Sequence, residues 1–216
     1  MKQALRPFRF PSALYPIVDV AGVPGRSHVE LARAVLSAGI RFLQLRVKAA
    51  PAGEFAAIAR AVKDEADRAG AQLIVNDRAD IALLVGAAGV HLGQDDLPPA
   101  QARALLGPAA IIGFSTHNAE QLAAAAVDPA VDYAGFGPIF GTHSKENPDP
   151  VQGLAGLRAA RATCALPLVA IGGIDHDTAA AVLAAGADAV AVIGAVCRAA
   201  DPAAATAELL RRCGRG

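Results

Sequence analysis

Short apolar runs alternate with alanine-rich helical stretches along the whole chain, and this alternation constrains the fold more than any other feature of the sequence. The runs fall at 14–18, 42–46, 72–76, 89–92, 111–115, 133–136, 168–171 and 189–193. They are mostly apolar throughout, as expected of parallel strands covered on both faces. Helical periodicity fills 29–38, 54–69, 79–85, 98–106, 119–126, 154–163, 178–185 and 202–213. Pro98, Pro99 and Pro202 open helices, and Gly39, Gly70, Gly107 and Gly186 close them. Three phrases, LSAGIRFLQL, VGAAGVHLG and LAAGADAVAVIG, are near-copies of a helix end, a glycine turn and a strand, which points to a repeated βα unit. Eight such units joined by right-handed crossovers in 216 residues predict an α/β chain closed into a single-domain (β/α)8 TIM barrel. An open doubly wound sheet is the weaker reading, because no G-x-G-x-x-G follows the first run. The domain is expected to span 1–216, with 1–11 as an N-terminal extension.

Composition removes several classes of function. Lys and Arg total 20, as do Asp and Glu, so the net charge is zero and a nucleic-acid partner is not expected. With 54% hydrophobic residues the chain can bury a sizeable core, which excludes disorder. Its most apolar long window, 179–197, carries Asp188 at its centre, against a membrane span. Lys2, Arg6 and Arg9 are not followed by the apolar stretch of a secretory leader. Cys164, Cys197 and Cys213 are odd in number and widely spaced, with neither zinc spacing nor a disulfide framework. A reduced, cytoplasmic protein is expected, and a homo-oligomer is compatible with the sequence.

In such a barrel the residues that end each strand meet at one mouth. Gln44, Arg46 and Lys48 leave the second run at alternate positions, on one side of the extended chain. Asn76, Asp77 and Arg78 follow the third run, Gly93 to Asp96 the fourth, and Ser115, Thr116 and His117 the fifth. The polar stretch 137–153 breaks the rhythm after the sixth run and brings Thr142, Ser144 and Lys145; loops of that length inside compact domains are usually functional. Gly172, Gly173 and Gly194 end the last two runs, while the opposite strand ends hold little beyond Asp132 and Asp188.

Charge sorts this mouth into two anion sites. Glycine turns at the last two strands can hold a phosphate on backbone N–H groups, set against the plainer reading as tight turns. Asp77 and Asp96 beside Arg46, Lys48 and Lys145 fit a magnesium ion carrying a diphosphate. Taken singly, each of these charges is as well explained by a structural ion pair. His117 is a general-base candidate or a hydrogen-bond donor. His91 reads as a packed or hydrogen-bonded core histidine, His143 as a loop residue, and His28 and His176 as solvated helix-start residues, with no zinc pattern among them.

The segments Gln44-Leu45-Arg46-Val47-Lys48, Val75-Asn76-Asp77, Gly89 to Asp96, Gly113 to His117, Gly137-Pro138-Ile139-Phe140 and Ala170 to Ile174, in this order, resemble the thiamine-phosphate synthase (thiamine phosphate pyrophosphorylase) family over residues 14–200. The resemblance implies a transferase of thiamine biosynthesis that joins a hydroxymethylpyrimidine diphosphate to a thiazole phosphate with release of pyrophosphate. It implies that Gln44, Leu45, Arg46, Val47, Lys48, Asn76, Ser115 and Lys145 hold the pyrimidine diphosphate, with Arg46, Lys48, Ser115 and Lys145 catalytic. Asp77 and Asp96 would coordinate Mg2+; Thr142, His143, Ser144, Gly173, Ile193 and Gly194 would hold the thiazole phosphate. Two positions depart from the family pattern: Ser144 stands where a Thr is common, and Gly194 where a Ser is common. Competing readings are the sister thiazole tautomerase, which needs no diphosphate site, a non-catalytic barrel that binds thiamine precursors, and an unrelated aldolase or isomerase with Lys48 as its faint candidate.

Overall fold

The computed structural model describes residues 8–48, 50–142 and 149–214. Eight parallel strands close into one barrel in chain order: β1 (Leu14–Val18), β2 (Phe42–Leu45), β3 (Gln72–Asn76), β4 (Gly89–Leu92), β5 (Ile111–Thr116), β6 (Tyr133–Phe136), β7 (Leu168–Ile171) and β8 (Ala189–Val192). Pairing of Leu14 with Val190 and of Tyr15 with Ala191 completes the ring. The (β/α)8 expectation is met.

Around the barrel lie α1 (His28–Ser37), α2 (Ala52–Arg68), α3 (Ala79–Val85), α4 (Pro99–Leu106), α5 (Ala119–Val127), α6 (Gly153–Thr163), α7 (Ala179–Ala184), α8 (Gly194–Cys197) and α9 (Pro202–Arg212). Local chemistry sets their ends. Ser27 and Glu30 form a reciprocal capping box at α1, and Asn118 and Asp201 cap α5 and α9. The single turn α8 escapes the sequence reading because it continues the apolar run of β8 without a break in composition. His28, expected as a solvated helix start, is instead buried, with Nε2 3.1 Å from the Arg46 carbonyl oxygen.

Side-chain alternation along each strand divides the core in two. Leu43, Leu45, Leu73, Val75, Val90 and Ile112 face outward and pack against the helices. Tyr15, Ile17, Phe42, Ile74, Tyr133, Val169, Ala189 and Ala191 fill the barrel itself. Phe8 and Phe10 close the barrel's N-terminal end, their rings 5.3 and 5.1 Å from the ring of Tyr133. At that same end Asp132 takes the Ile112 N–H at 2.7 Å and pairs with Arg103. Asp188 repeats the device with the Leu168 N–H at 2.9 Å and Arg161. These two carboxylates pin strands together at the end opposite the candidate site.

Candidate active site

At the C-terminal mouth, β2 and β3 deliver the first cluster. Lys48 Nζ stands 2.5 Å from Asp77 Oδ2. Asp77 has a left-handed backbone, φ 63°, and its N–H is bonded to the His91 carbonyl oxygen at 2.8 Å. That turn swings its carboxylate toward the loop after β4. There Asp96 accepts the Gly93 N–H at 2.6 Å and faces Asp77. Burial, then the facing Asp77, holds the Asp96 carboxyl above the usual carboxylate range, with the Gly93 N–H and Lys48 pulling the other way. Two carboxylates pressed together beside one lysine are a donor set of hard oxygens in want of positive charge. Among the described residues no cluster of three or more His, Cys, Asp or Glu ligands forms. A closed protein cage for a metal is therefore absent from the described part, whereas Mg2+ typically takes one or two carboxylates, water and phosphate oxygens. The residues fit that ion.

Arg46 does not join the aspartate pair. Its guanidinium is bonded to Asp19, a buried carboxylate just past β1 that also takes the Ala21 N–H at 2.8 Å. Asp19 is a candidate-site residue that the sequence reading missed, although it ends its strand as Asp77 ends β3. Gln44 points into the barrel and donates through Nε2 to the Tyr15 hydroxyl at 3.0 Å. Leu45 is buried in the outer core and Val47 packs against it, so only their main chain is available to a ligand in the mouth. Asn76 is half-buried at the end of β3. Ser115 Oγ lies 2.9 Å from His91 Nε2, and His91 Nδ1 lies 3.0 Å from the Tyr133 hydroxyl. His91 is the hydrogen-bonded core histidine expected, and burial pushes its pKa down to about 4. His117 Nδ1 meets the Gly137 carbonyl oxygen at 3.0 Å, and Asp149 stands 3.5 Å from the same nitrogen.

The phosphate-binding candidates gather at β7 and β8. Gly172 and Gly173 both have positive φ, 102° and 63°. A Cβ on Gly172 would collide with Pro138, and one on Gly173 with the Gly141 carbonyl and Phe140. Tight packing against the segment after β6 thus requires glycine at both positions, whatever else they do. Gly194 is different: its nearest neighbour to a built Cβ is Arg198 Cδ at 3.8 Å, ordinary contact distance. Ile193 precedes it at the start of α8, and Thr142 is half-buried on the segment after β6. His143, Ser144 and Lys145 lie outside the described residues.

Comparison with known proteins agrees with this architecture. Residues 14–196 match the family described as thiamine monophosphate synthase. The chain is 49% identical over 196 residues to the thiamine-phosphate synthase of Moorella thermoacetica, covering 91% of this chain and 93% of that one. It is 47% identical over 200 residues to the thiamine-phosphate synthase of Laribacter hongkongensis, covering 91% and 93%. Among solved structures, a thiamine phosphate pyrophosphorylase from Pyrococcus furiosus superposes with a TM-score of 0.83 at 38% identity, over 93% of this chain and 95% of that one. With fold and relatives in agreement, the chain belongs to the thiamine-phosphate synthase family of transferases.

Proposed function

We propose that the mouth holds a hydroxymethylpyrimidine diphosphate over Asp77, Asp96, Lys48 and Arg46 and a thiazole phosphate over the β7 and β8 turns, and joins the two. The carbon–oxygen bond to the diphosphate breaks with its electron pair leaving on pyrophosphate. The thiazole nitrogen supplies the pair for the new bond to the freed methylene carbon. The observation that carries this reading is that Asp77 and Asp96 face each other beside Lys48. Mg2+ bound by these two aspartates would neutralise charge on the departing diphosphate.

Every other contribution comes from the chain's own groups. Lys48, and Arg46 held in place by Asp19, would face the developing negative charge, where preorganised cations act without rearrangement during the step. Ser115 would donate a hydrogen bond to a diphosphate oxygen, and Asn76 and Gln44 would orient the pyrimidine. Lys145 is assigned the same anionic partner by family resemblance. Thr142, His143, Ser144, Gly173, Ile193 and Gly194 are assigned the thiazole phosphate. No side-chain nucleophile is required by this step, since the thiazole nitrogen supplies the electron pair. The three free thiols, all buried, support a cytoplasmic setting.

The test is incubation with both substrates and Mg2+, followed for thiamine phosphate and pyrophosphate. Asp77→Asn keeps a residue that tolerates the left-handed backbone while removing the charge, and turnover is expected to fall at least about 100-fold. Near wild-type turnover in that variant removes the metal assignment. A rearranged thiazole with no pyrophosphate would favour the tautomerase, and binding without pyrophosphate release a non-catalytic barrel.

A further inference from the structure

Five side chains from five strands cross the barrel interior in one unbroken hydrogen-bonded line. Gln44 Nε2 donates to the Tyr15 hydroxyl at 3.0 Å, and the Tyr15 and Tyr133 hydroxyls lie 3.0 Å apart. Tyr133 is 3.0 Å from His91 Nδ1, and His91 Nε2 is 2.9 Å from Ser115 Oγ. The Gln44 amide gives this line one polarity, while the contacts at the two tyrosine hydroxyls and at the imidazole can each run either way. An amide nitrogen only donates, so the Tyr15 oxygen accepts from Gln44, and in the direction that runs toward Ser115 its one proton goes on to Tyr133. In that direction Tyr133 donates to Nδ1, and a neutral His91 carries its proton on Nε2 and donates it to Ser115 Oγ. The Ser115 proton then has no partner within the line and is left for the mouth.

We infer that Tyr15, Tyr133 and His91 are positioning residues that carry one donor direction from Gln44 to Ser115 and so keep the Ser115 hydroxyl a donor toward the diphosphate oxygens. This rests on the reading of Ser115 as a diphosphate contact. The reverse direction would spend the serine proton on His91 and turn only lone pairs toward an anion. The barrel is shaped around the line. A Cβ on Gly113 would collide with both the Tyr133 ring and His91 Nδ1, and one on Gly135 would sit 3.2 Å from His91 Cε1. These are inward positions where such barrels ordinarily carry branched side chains. On the other side Phe8 and Phe10 pack on the Tyr133 ring and offer its hydroxyl no competing partner.

Tyr133→Phe keeps the ring and removes the link. Its kcat/KM for the pyrimidine diphosphate is expected to fall about tenfold in the otherwise native protein, and by less than about twofold in a Ser115→Ala background. A purely structural tyrosine would cost the same factor in both backgrounds; that result, or no loss in either, overturns the inference. Nitrogen NMR of His91 in the unliganded protein should show a proton on Nε2 and a bare Nδ1, and a proton on Nδ1 instead overturns the direction outright. The tautomer is read without turnover. A protein with the expected tautomer that makes no thiamine phosphate therefore sinks the functional reading and leaves the direction of the line standing.

Discussion

Asp77 is the one non-glycine residue with positive φ among those described, and it ends its strand against a second carboxylate. Both features oppose stability. A left-handed backbone is disfavoured even where aspartate tolerates it, and two nearby carboxylates repel. Such cost concentrated at one point is a mark of function. Asp96→Asn should therefore raise the stability of the metal-free protein by about 1 kcal/mol, seen as a higher urea midpoint, while turnover falls at least about 100-fold. A lower midpoint would show that Asp96 stabilises the fold and does not strain it. Asp77, Asp96, Lys48 and Ser115 were legible in the sequence because a strand end is a local signal that carries its chemistry with it. Asp19 carries the same strand-end signal and was passed over, and His28 was read as solvated, because what distinguishes the two is a partner. Asp19 matters through Arg46, and His28 through the Arg46 carbonyl oxygen, and neither contact has a trace in local composition.

At the level of elements, the turns after β7 and β8 look alike in sequence and differ in what holds them. Gly173 has positive φ and no room for a methyl group, so Gly173→Ala should destabilise the protein by about 2 kcal/mol or more, measured by denaturant unfolding. Gly194 has ordinary space around it, so Gly194→Ser should fold normally. Its added hydroxyl would give one further hydrogen bond to the thiazole phosphate and lower the KM for that substrate about threefold to tenfold. An unchanged KM would place the phosphate elsewhere. Helix and strand positions were readable to within a residue or two from periodicity and from proline and glycine punctuation. The turn α8 was not, since four residues are too few to show a helical period.

For the whole molecule, two buried imidazoles make folding sensitive to acid. Burial pushes the pKa of His28 below its ordinary value and that of His91 down to about 4. The unfolded chain binds protons at these histidines near pH 6.5, whereas the folded chain resists until lower pH, so unfolding gains ground as pH falls from 6.5 toward 4. His91 alone should lower the unfolding free energy by about 2 kcal/mol between pH 7 and pH 5. Urea titrations at the two pH values should show a visibly smaller decline in His91→Asn; equal declines would mean the imidazole is charged in the folded state. The sequence by itself determined the eight-unit barrel, the strand ends that meet at the candidate site and most of the charged residues there. Those follow from period, punctuation and strand ends, which are properties of neighbouring residues. Only the tertiary structure decided which charges pair, Lys48 with Asp77 and Arg46 with Asp19, and that Gln44, Tyr15, Tyr133, His91 and Ser115 share one line. Those partners lie up to more than a hundred residues apart, and barrel closure and strand register alone bring them within hydrogen-bonding distance.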